Sequence, residues 1–397
     1  MQVGDTVLID FAFKNIRSFK DQVTFSMEVG EGITDYMENN TAISGDIEVV
    51  KSSFIFGGNA SGKTNVIRAF QLLRDIIVHG TSSELESLPI DTFENEVGNT
   101  YFKIRFIKNG NLYSYELNYD AHNINEERLV MNDNIIFNRT VDNIFMPSSI
   151  KSLKVVLRAN QPLLYFAQSN NVSEAKVAYE WFAQDILVLS LRNTDLCNQE
   201  LFKLLYTNPN LKDNVLYFLQ AADFHIKDIK IQESFIPIQE NNQNLESRLF
   251  LQFEYECKDK GRFTIDYQAE SISIRIFLFL ATMILDNYHN SKLFLIDDFD
   301  CFLHPKLVTM LLRIFNEWND IGTQLIATTH NTNILDAPVR TDQVWFVDKS
   351  YYGVSTLDSA FDYNELSIKG IKKNYQDGLY GADQIINDSM IKDILLC

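Results

Sequence analysis

A glycine-bearing segment near residue 60 is the part of the sequence best suited to chemistry. The apolar run Phe54-Ile55-Phe56 leads into Gly57-Gly58-Asn59-Ala60-Ser61-Gly62-Lys63-Thr64-Asn65, and apolar residues at helical spacing follow. A strand, a glycine turn ending in Gly-Lys-Thr and a helix form the context that a phosphate-binding loop requires. The segment therefore predicts nucleotide binding, with the loop amides and the helix N-terminus facing the phosphates.

Two residues at the end of this loop have predicted roles of their own. In loops of this type the lysine reaches the β- and γ-phosphates, and the hydroxyl residue binds Mg²⁺. We therefore expect Lys63 to act in catalysis and Thr64 to be a metal ligand, with ATP and Mg²⁺ as the cofactors. The other loop residues, 57–62, and Asn65 are expected to contact the nucleotide.

A second acidic motif lies far along the chain, at the end of another apolar run. Residues 293–296, Leu-Phe-Leu-Ile, are followed by Asp297 and Asp298. We expect Asp297 to hold Mg²⁺, directly or through water, and Asp298 to orient the attacking water in catalysis. A further apolar strand, 325–328, leads to His330, which we expect to contact the γ-phosphate as a third catalytic residue.

The order of these motifs resembles that of ABC-type ATPase heads of the RecF, SMC and OLD kind, in which a long insertion separates the two halves of the site. The segment Asn15-Ile16-Arg17-Ser18-Phe19 is similar to the opening loop of RecF- and SMC-like heads, which implies that Arg17 contacts the nucleotide. Further stretches resemble ATPases of bacterial anti-phage and abortive-infection systems, including the AbiL and PARIS types. These stretches are 222–229, 300–305, 342–349 and 375–382.

Two departures from the family pattern change the expected behaviour. The family usually has Glu at the position of Asp298, and the shorter carboxylate falls short of the water, so we expect slow hydrolysis and a long-lived ATP-bound state. The second departure is in the signature segment, 270–275, which keeps Glu-Ser but lacks a glycine. Ser271 is the expected contact to ATP across a head dimer, with Arg275 second. In the alternative interpretation the segment is only a polar helix start, with Ser273 as its N-cap.

The predicted fold class is α/β, an ABC-type P-loop ATPase head with an antiparallel β-subdomain and a helical insertion. Residues 1–165 are expected to form the N-terminal lobe with the phosphate-binding loop and β-hairpins. Residues 166–222 are the expected helical insertion, and 223–397 the C-terminal lobe with the signature, the acidic motif and the histidine. Asn109-Gly110 and Asn132-Asp133-Asn134 each predict a hairpin turn between alternating segments.

Composition and charge set further limits. The 397 residues are 46% hydrophobic and carry a net charge of −18, which does not favour coating DNA through the overall field. The four cysteines form no C-x-x-C pair, which fits a reducing compartment. Residues 1–5 have no signal-type pattern, and the most apolar stretch, 276–285, is too short to span a bilayer. We therefore expect a cytoplasmic protein without a membrane segment.

The resemblance implies an ATP-binding, slowly hydrolysing sensor or regulatory subunit of bacterial anti-phage defence. Such a protein would pair through its heads as a homodimer or larger homo-oligomer and control a separate effector, a nuclease or another toxin. The alternative is a RecF-like DNA repair or maintenance ATPase, so nucleic acid binding stays open. A third alternative is a scaffold that binds ATP and hardly hydrolyses it.

Overall fold

The structure is a computed structural model that describes residues 6–95, 98–191, 198–237, 245–259, 261–363, 367–382 and 388–396. Within these ranges the strands, in chain order, are β1 (Thr6–Lys14), β2 (Val23–Ser26), β3 (Thr41–Ser44), β4 (Ile47–Val50), β5 (Ser52–Phe56), β6 (Thr100–Lys108), β7 (Asn111–Tyr119), β8 (Ile124–Met131), β9 (Asn134–Arg139), β10 (Ile144–Phe145), β11 (Ile186–Ser190), β12 (Asp228–Pro237), β13 (Leu245–Cys257), β14 (Gly261–Asp266), β15 (Leu293–Asp297), β16 (Gln324–Thr328), β17 (Val344–Lys349) and β18 (Ser355–Ser359).

The α-helices of the same ranges, again in chain order, are α1 (Met37–Asn40), α2 (Lys63–His79), α3 (Leu163–Ser169), α4 (Ser173–Glu180), α5 (Asn198–Thr207), α6 (Pro209–Ala221), α7 (Ile272–Asn287), α8 (Pro305–Asn316), α9 (Ile371–Gln376) and α10 (Asp388–Leu396). The chain divides into two compact units. The first unit comprises Met1–Leu189, Ser291–Asp297 and Leu312–Cys397, and the second comprises Ser190–Asn290 and Asp298–Leu311.

A six-stranded sheet in the order β11-β15-β16-β5-β17-β18 positions the candidate site in the first unit. β15, β16, β5 and β17 run parallel, and β18 is antiparallel to β17. All residues of β5, β15 and β16 are buried, as expected for parallel strands that are covered on both faces. The carboxyl ends of these three strands therefore lie next to one another at one edge of the sheet.

A seven-stranded antiparallel sheet in the order β10-β9-β8-β7-β6-β1-β2 accompanies it in the first unit. Its two predicted hairpins are confirmed, with Asn109 and Gly110 at φ 52° and 71° and Asn132 and Asp133 at φ 47° and 66°. Asn, Asp and Gly tolerate this left-handed backbone best, which explains why these pairs end the strands. Helix α2 packs on this sheet through Phe70, whose ring centroid lies 4.0 Å from that of Phe11.

The second unit is built on the antiparallel sheet β12-β13-β14. β13 and β14 pair antiparallel from Gln252↔Asp266 to Cys257↔Gly261. Helices α5, α6 and α7 supply aromatic side chains to its core. The ring centroids of Phe218 and Phe277 are 5.6 Å apart, and those of Phe202 and Tyr267 are 5.0 Å apart.

The segment from 166 to 222, predicted as a helical insertion, contains a strand. α4 is followed by one π-helical turn, Trp181–Asp185, and then by β11, which joins the six-stranded sheet beside β15. Asp185 fixes this change of direction, since its buried carboxylate accepts from Lys292 Nζ at 2.9 Å and also pairs with Lys108. The apolar run of β11 is compatible with a helix or a strand, and its pairing with β15 selects the strand. The division of the chain at 165 and 222 stays a prediction.

The cysteines and the apolar character of the helices bear on two further predictions. Neither Cys257 nor Cys301 forms a disulfide bond within the described part of the chain, and Cys197 and Cys397 lie outside the described residues. Among the helices within the described ranges, none combines the length and the apolar character needed to cross a membrane.

A buried ion pair offers a test of how the first unit is held together. Arg340 is fully buried, and its guanidinium donates to the Asp342 carboxylate at 2.6 Å and to the Asp35 carbonyl oxygen at 2.7 Å. Removing one partner of a buried pair costs about 3–5 kcal/mol because the other charge loses its counterion. We expect Arg340→Met to lower the free energy of unfolding by about 3 kcal/mol or more, measured by urea denaturation.

The control for this prediction is Lys103→Met. Lys103 pairs with Glu116 at 2.7 Å on the surface of the antiparallel sheet, and such exposed pairs contribute at most about 1 kcal/mol. If both variants lost the same small amount of stability, the structural importance assigned to the buried arginine would be wrong.

Candidate nucleotide-binding site

The loop between β5 and α2 has a backbone that only small residues allow at two positions. A Cβ on Gly57 would lie 2.5 Å from the Val347 carbonyl oxygen, and one on Gly62 would lie 2.7 Å from the hydroxyl oxygens of Ser18 and Ser355. Gly62 also has a φ of 120°. The Ser355 hydroxyl donates to the Ser61 carbonyl oxygen at 2.5 Å and so ties the loop to β18.

The Ser61 hydroxyl gives a direct sign that the loop is built for a polar ligand. Its oxygen is buried and has no hydrogen-bond partner among the described residues, although buried polar groups are normally paired. The nearby amides at the start of α2 add the positive end of the helix dipole. A phosphate fits this combination of an orphaned hydroxyl and a helix N-terminus.

Lys63 begins α2 and folds its side chain back over the loop. Its ammonium donates to the carbonyl oxygens of Gly57 at 2.8 Å and Gly58 at 2.9 Å, and the residue is only 6% exposed. The cation therefore lies inside the loop rather than in solvent. This is the placement from which a lysine can meet a phosphate held by the same loop.

Thr64 and Asp297 lie side by side although they are distant in the sequence. The Thr64 hydroxyl lies 3.0 Å from both carboxylate oxygens of Asp297, and the Thr328 hydroxyl donates to one of them at 2.6 Å. Asp297 is 7% exposed. A hydroxyl and a carboxylate at this separation are hard oxygen donors of the kind that Mg²⁺ prefers, so the residues fit the metal that the loop implies.

His330 and Asp298 follow the neighbouring strands. His330 is exposed and comes two residues after β16, where the Thr329 amide donates to the Ile55 carbonyl oxygen at 3.0 Å. Asp298 directly follows β15, is 6% exposed, and has a left-handed φ of 53°. It opens a segment of the second unit, Asp298–Leu311. The catalytic roles of both residues stay predictions.

The opening loop of the chain meets α2 beside the phosphate-binding loop. The Asn65 amide donates to the Ser18 hydroxyl at 2.7 Å, and Arg17 donates to the Asn65 side-chain oxygen at 3.4 Å. Arg17 also forms an ion pair with Asp91. These side chains line an open pocket of about 400 Å³, whose other walls are Thr92, Phe93, Glu94, Asn95, Lys349 and Gly353.

Ser271 caps α7 in the second unit. Its hydroxyl accepts from the Ile274 amide at 3.4 Å, so the N-cap is Ser271 and not Ser273 as the alternative interpretation had it. The Ser273 hydroxyl instead donates to the Phe302 carbonyl oxygen at 2.7 Å. Glu270 is held by the Tyr255 hydroxyl, which donates to it at 2.6 Å, and burial raises the pKa of Tyr255 well above its ordinary value. The predicted contact of Ser271 with ATP stays a prediction.

Comparison with protein families identifies the chain. The sequence model of the family described as "AAA domain, putative AbiEii toxin, Type IV TA system" matches residues 52–336, which is more than half of the chain. The chain belongs to this family. By family it is therefore an AAA-domain protein, and the α/β fold class that the sequence predicts is confirmed. No curated protein is significantly similar in sequence to this AAA-family chain.

Three solved structures that are similar to the AAA-family chain are head domains of SMC proteins. The SMC head domain from Thermotoga maritima matches with a TM-score of 0.43 and 14% identity, over 90% of this chain and 99% of that one. An SmcHead bound to the C-winged helix domain of ScpA matches with a TM-score of 0.49 and 13% identity, over 89% and 97%. The Smc head domain with an extended coiled coil from Pyrococcus furiosus matches with a TM-score of 0.44 and 12% identity, over 94% of this chain and 99% of that one.

Sequence reasoning missed several residues that shape the site of this AAA-family protein. Thr328 is the polar end of an otherwise apolar strand, a signal that points to the strand terminus and could have identified it. Ser355 and Asp91 carry no such signal, because their partners Ser61 and Arg17 are distant in the sequence.

Thr328 provides a test of the metal site. Thr328→Val keeps the side-chain shape but removes the hydroxyl that orients Asp297, and losses of such supporting groups cost 10–100-fold in metal affinity. We expect the Mg²⁺ concentration that half-saturates the complex with a fluorescent ATP analogue to rise about tenfold. Nucleotide affinity measured in EDTA should stay within about twofold of the wild type, because no phosphate contact is removed.

The control is Thr282→Val, in which another fully buried threonine loses a hydroxyl that donates to the Leu278 carbonyl oxygen at 2.7 Å. This residue lies in the second unit, outside the loop region. The same Mg²⁺ dependence in the two variants would show that Thr328 does not support a metal ligand.

Proposed function

We propose that the chain binds ATP with Mg²⁺ at the phosphate-binding loop of the first unit and hydrolyses it slowly. The contact of Thr64 with Asp297 is the observation that supports this most strongly, since it joins the loop to the carboxylate of a separate strand. Lys63 and the amides at the start of α2 would hold the phosphates, and Thr64 and Asp297 would hold the metal. Bound Mg²⁺ would neutralise phosphate charge and orient the transferred group.

The pocket beside Arg17 is the proposed position of the nucleoside. Arg17, Glu94 and Asn95 line it and have left-handed backbones, with φ of 49°, 50° and 55°. Strained backbone of this kind concentrates at ligand sites. The Asp91 carboxylate, which pairs with Arg17, offers an acceptor for ribose or amino hydrogens.

The proposal of slow hydrolysis rests on the short side chain of Asp298. A carboxylate one methylene shorter than glutamate stands farther from the water it must orient, and errors of about 1 Å cost on the order of 100-fold in rate. His330, at the end of the adjacent β16, is the proposed contact to the γ-phosphate. Together these features describe an ATPase that stays in its ATP-bound state for long periods.

The proposal also includes head-to-head pairing of two copies and control of a separate effector. Ser271 is exposed at the N-terminus of α7, a position from which a second copy would present it to ATP. The family description names a toxin and a toxin–antitoxin system, which supports a role in defence through a partner protein. The net charge of −18 favours a basic protein partner over DNA. A RecF-like DNA role is the alternative, and ATP-dependent gel shifts at stated salt would reveal it.

Binding of ATP is tested with Lys63→Ala. A hydrogen bond to a charged group contributes about 1.5–3 kcal/mol, so removing the ammonium should weaken nucleotide affinity about tenfold or more. Fluorescence titration with an ATP analogue in Mg²⁺ measures this. Lys14→Ala, which removes an exposed cation at the end of β1, is the control and should bind as the wild type does. Equal affinity of all three proteins would overturn the proposed binding site.

The hydrolysis rate is tested with Asp298→Glu. Because the added methylene brings the carboxylate closer to the water, we expect phosphate release to accelerate by about tenfold or more at unchanged ATP affinity. Asp300→Glu, two residues further on, is the matched control and should leave the rate unchanged. A wild-type turnover of several per second, or no gain from Asp298→Glu, would refute slow hydrolysis caused by the short side chain.

A further inference from the structure

The segment 371–382, here called the strap, contributes a backbone carbonyl to the phosphate-binding loop. The Gly58 amide donates to the Ala382 carbonyl oxygen at 2.8 Å. The Tyr375 hydroxyl donates to the same oxygen at 3.4 Å. Gly58 is the second residue of the loop that follows β5. The strap therefore fixes the part of the loop that leads the chain from β5 toward Lys63.

Aromatic side chains attach the strap to the two strands next to the loop. The Tyr380 ring stacks on Phe346 of β17 with centroids 4.4 Å apart. The Tyr375 ring lies 5.5 Å from Phe346 and 5.9 Å from Phe56, the last residue of β5. Both tyrosines are 5% exposed. The carbonyl of Ala382 is thus held by a packed cluster and not by a single hydrogen bond.

Gly381 is the point at which the strap can be changed without touching the loop. Its φ is 71°, and a Cβ there would lie 3.2 Å from a carboxylate oxygen of Asp348. Gly378 in the same turn has a φ of 76°, but a Cβ there meets no atom within 4 Å. Alanine at either position is strained by the left-handed backbone, and only at Gly381 does it also press on the end of β17 beside Ala382.

We infer that the strap positions the phosphate-binding loop for nucleotide, with Gly381 and the Ala382 carbonyl as its positioning elements. The inference rests on the proposed binding of ATP at this loop. A loop that holds phosphate through backbone amides binds more tightly when those amides are fixed beforehand, because less ordering is needed on binding. Coupling between two sites is reciprocal, so bound nucleotide should in turn stabilise the strap.

The first test compares Gly381→Ala with Gly378→Ala in the full chain. We expect Gly381→Ala to weaken the affinity for a fluorescent ADP analogue with Mg²⁺ by about three- to tenfold, whereas Gly378→Ala stays within about twofold of the wild type. The unfolding temperature without nucleotide should fall in both variants, because both introduce backbone strain, and it should fall further in Gly381→Ala, which also crowds Asp348. Equal nucleotide affinities of the two variants would overturn the inference.

The second test measures the unchanged protein, so its outcome does not depend on the folding of a strap variant. Hydrogen exchange is followed with and without ADP and Mg²⁺, with Lys63→Ala as the reference that lacks tight binding. We expect nucleotide to slow exchange in peptides from 371–382 as well as in the loop. Protection of the loop without protection of the strap would overturn the inference alone. Absence of binding by the wild type would overturn the proposed function and the inference together.

Discussion

The hydrogen bonds that Thr64 and Thr328 give to Asp297 are the interaction on which the candidate site depends. A buried carboxylate is costly unless hydrogen bonds replace the water it has lost. Here one hydroxyl comes from the start of α2 and the other from the end of β16. The carboxylate is therefore kept in place by both neighbours before a metal ion binds. This arrangement requires β15, β16 and β5 to keep the parallel register in which Ile296 pairs with Ala327 and Thr328 with Ile55.

The loop itself is supported from several sides by segments that are distant in the sequence. Ser18 reaches it from the opening loop of the chain, Ser355 from the start of β18, and Ala382 from the strap. Each contact acts on a different part of the loop, and two of the three use backbone atoms of the loop. A loop braced in this way keeps its amides directed at one position, which is what recognition of a phosphate by backbone groups demands.

Local signals made part of this structure predictable from the sequence. The glycine loop with its strand and helix, and the hairpin turns at Asn109-Gly110 and Asn132-Asp133, are set by residues that are neighbours in the chain, so the sequence pattern is sufficient. β11 was not predicted, because its apolar run is compatible with a helix as well as with a strand. Only its pairing with β15 selects the strand. Ser271, and not Ser273 as in the alternative interpretation, is the N-cap of α7. Hydrophobic periodicity does not locate a helix end to within two residues.

The supports of the loop could not be predicted, because they connect residues separated by most of the chain. Ser355 donates to the carbonyl of Ser61, and Ala382 accepts from the amide of Gly58, so the groups on the loop are backbone atoms that every residue carries. Such a contact favours no particular residue type in the loop, so the sequence contains no pattern from which the contact could be predicted. The position of Asp297 beside Thr64 could be predicted, because a metal ligand of this kind requires a carboxylate at the end of a strand, and its metal-binding role stays a prediction.

The resting position of Lys63 has a consequence for which anions the loop accepts. Its ammonium is already bonded to the carbonyl oxygens of Gly57 and Gly58, so an incoming anion must draw it away from these acceptors. Weakly charged anions gain little from this exchange, because the two neutral acceptors already satisfy much of the cation's hydrogen-bonding capacity. An anionic phosphate oxygen forms a charge-assisted bond to an ammonium, which is stronger than a bond from a neutral carbonyl oxygen and can replace it. The resting position of Lys63 thus sets a free-energy cost that every anion entering the loop has to offset.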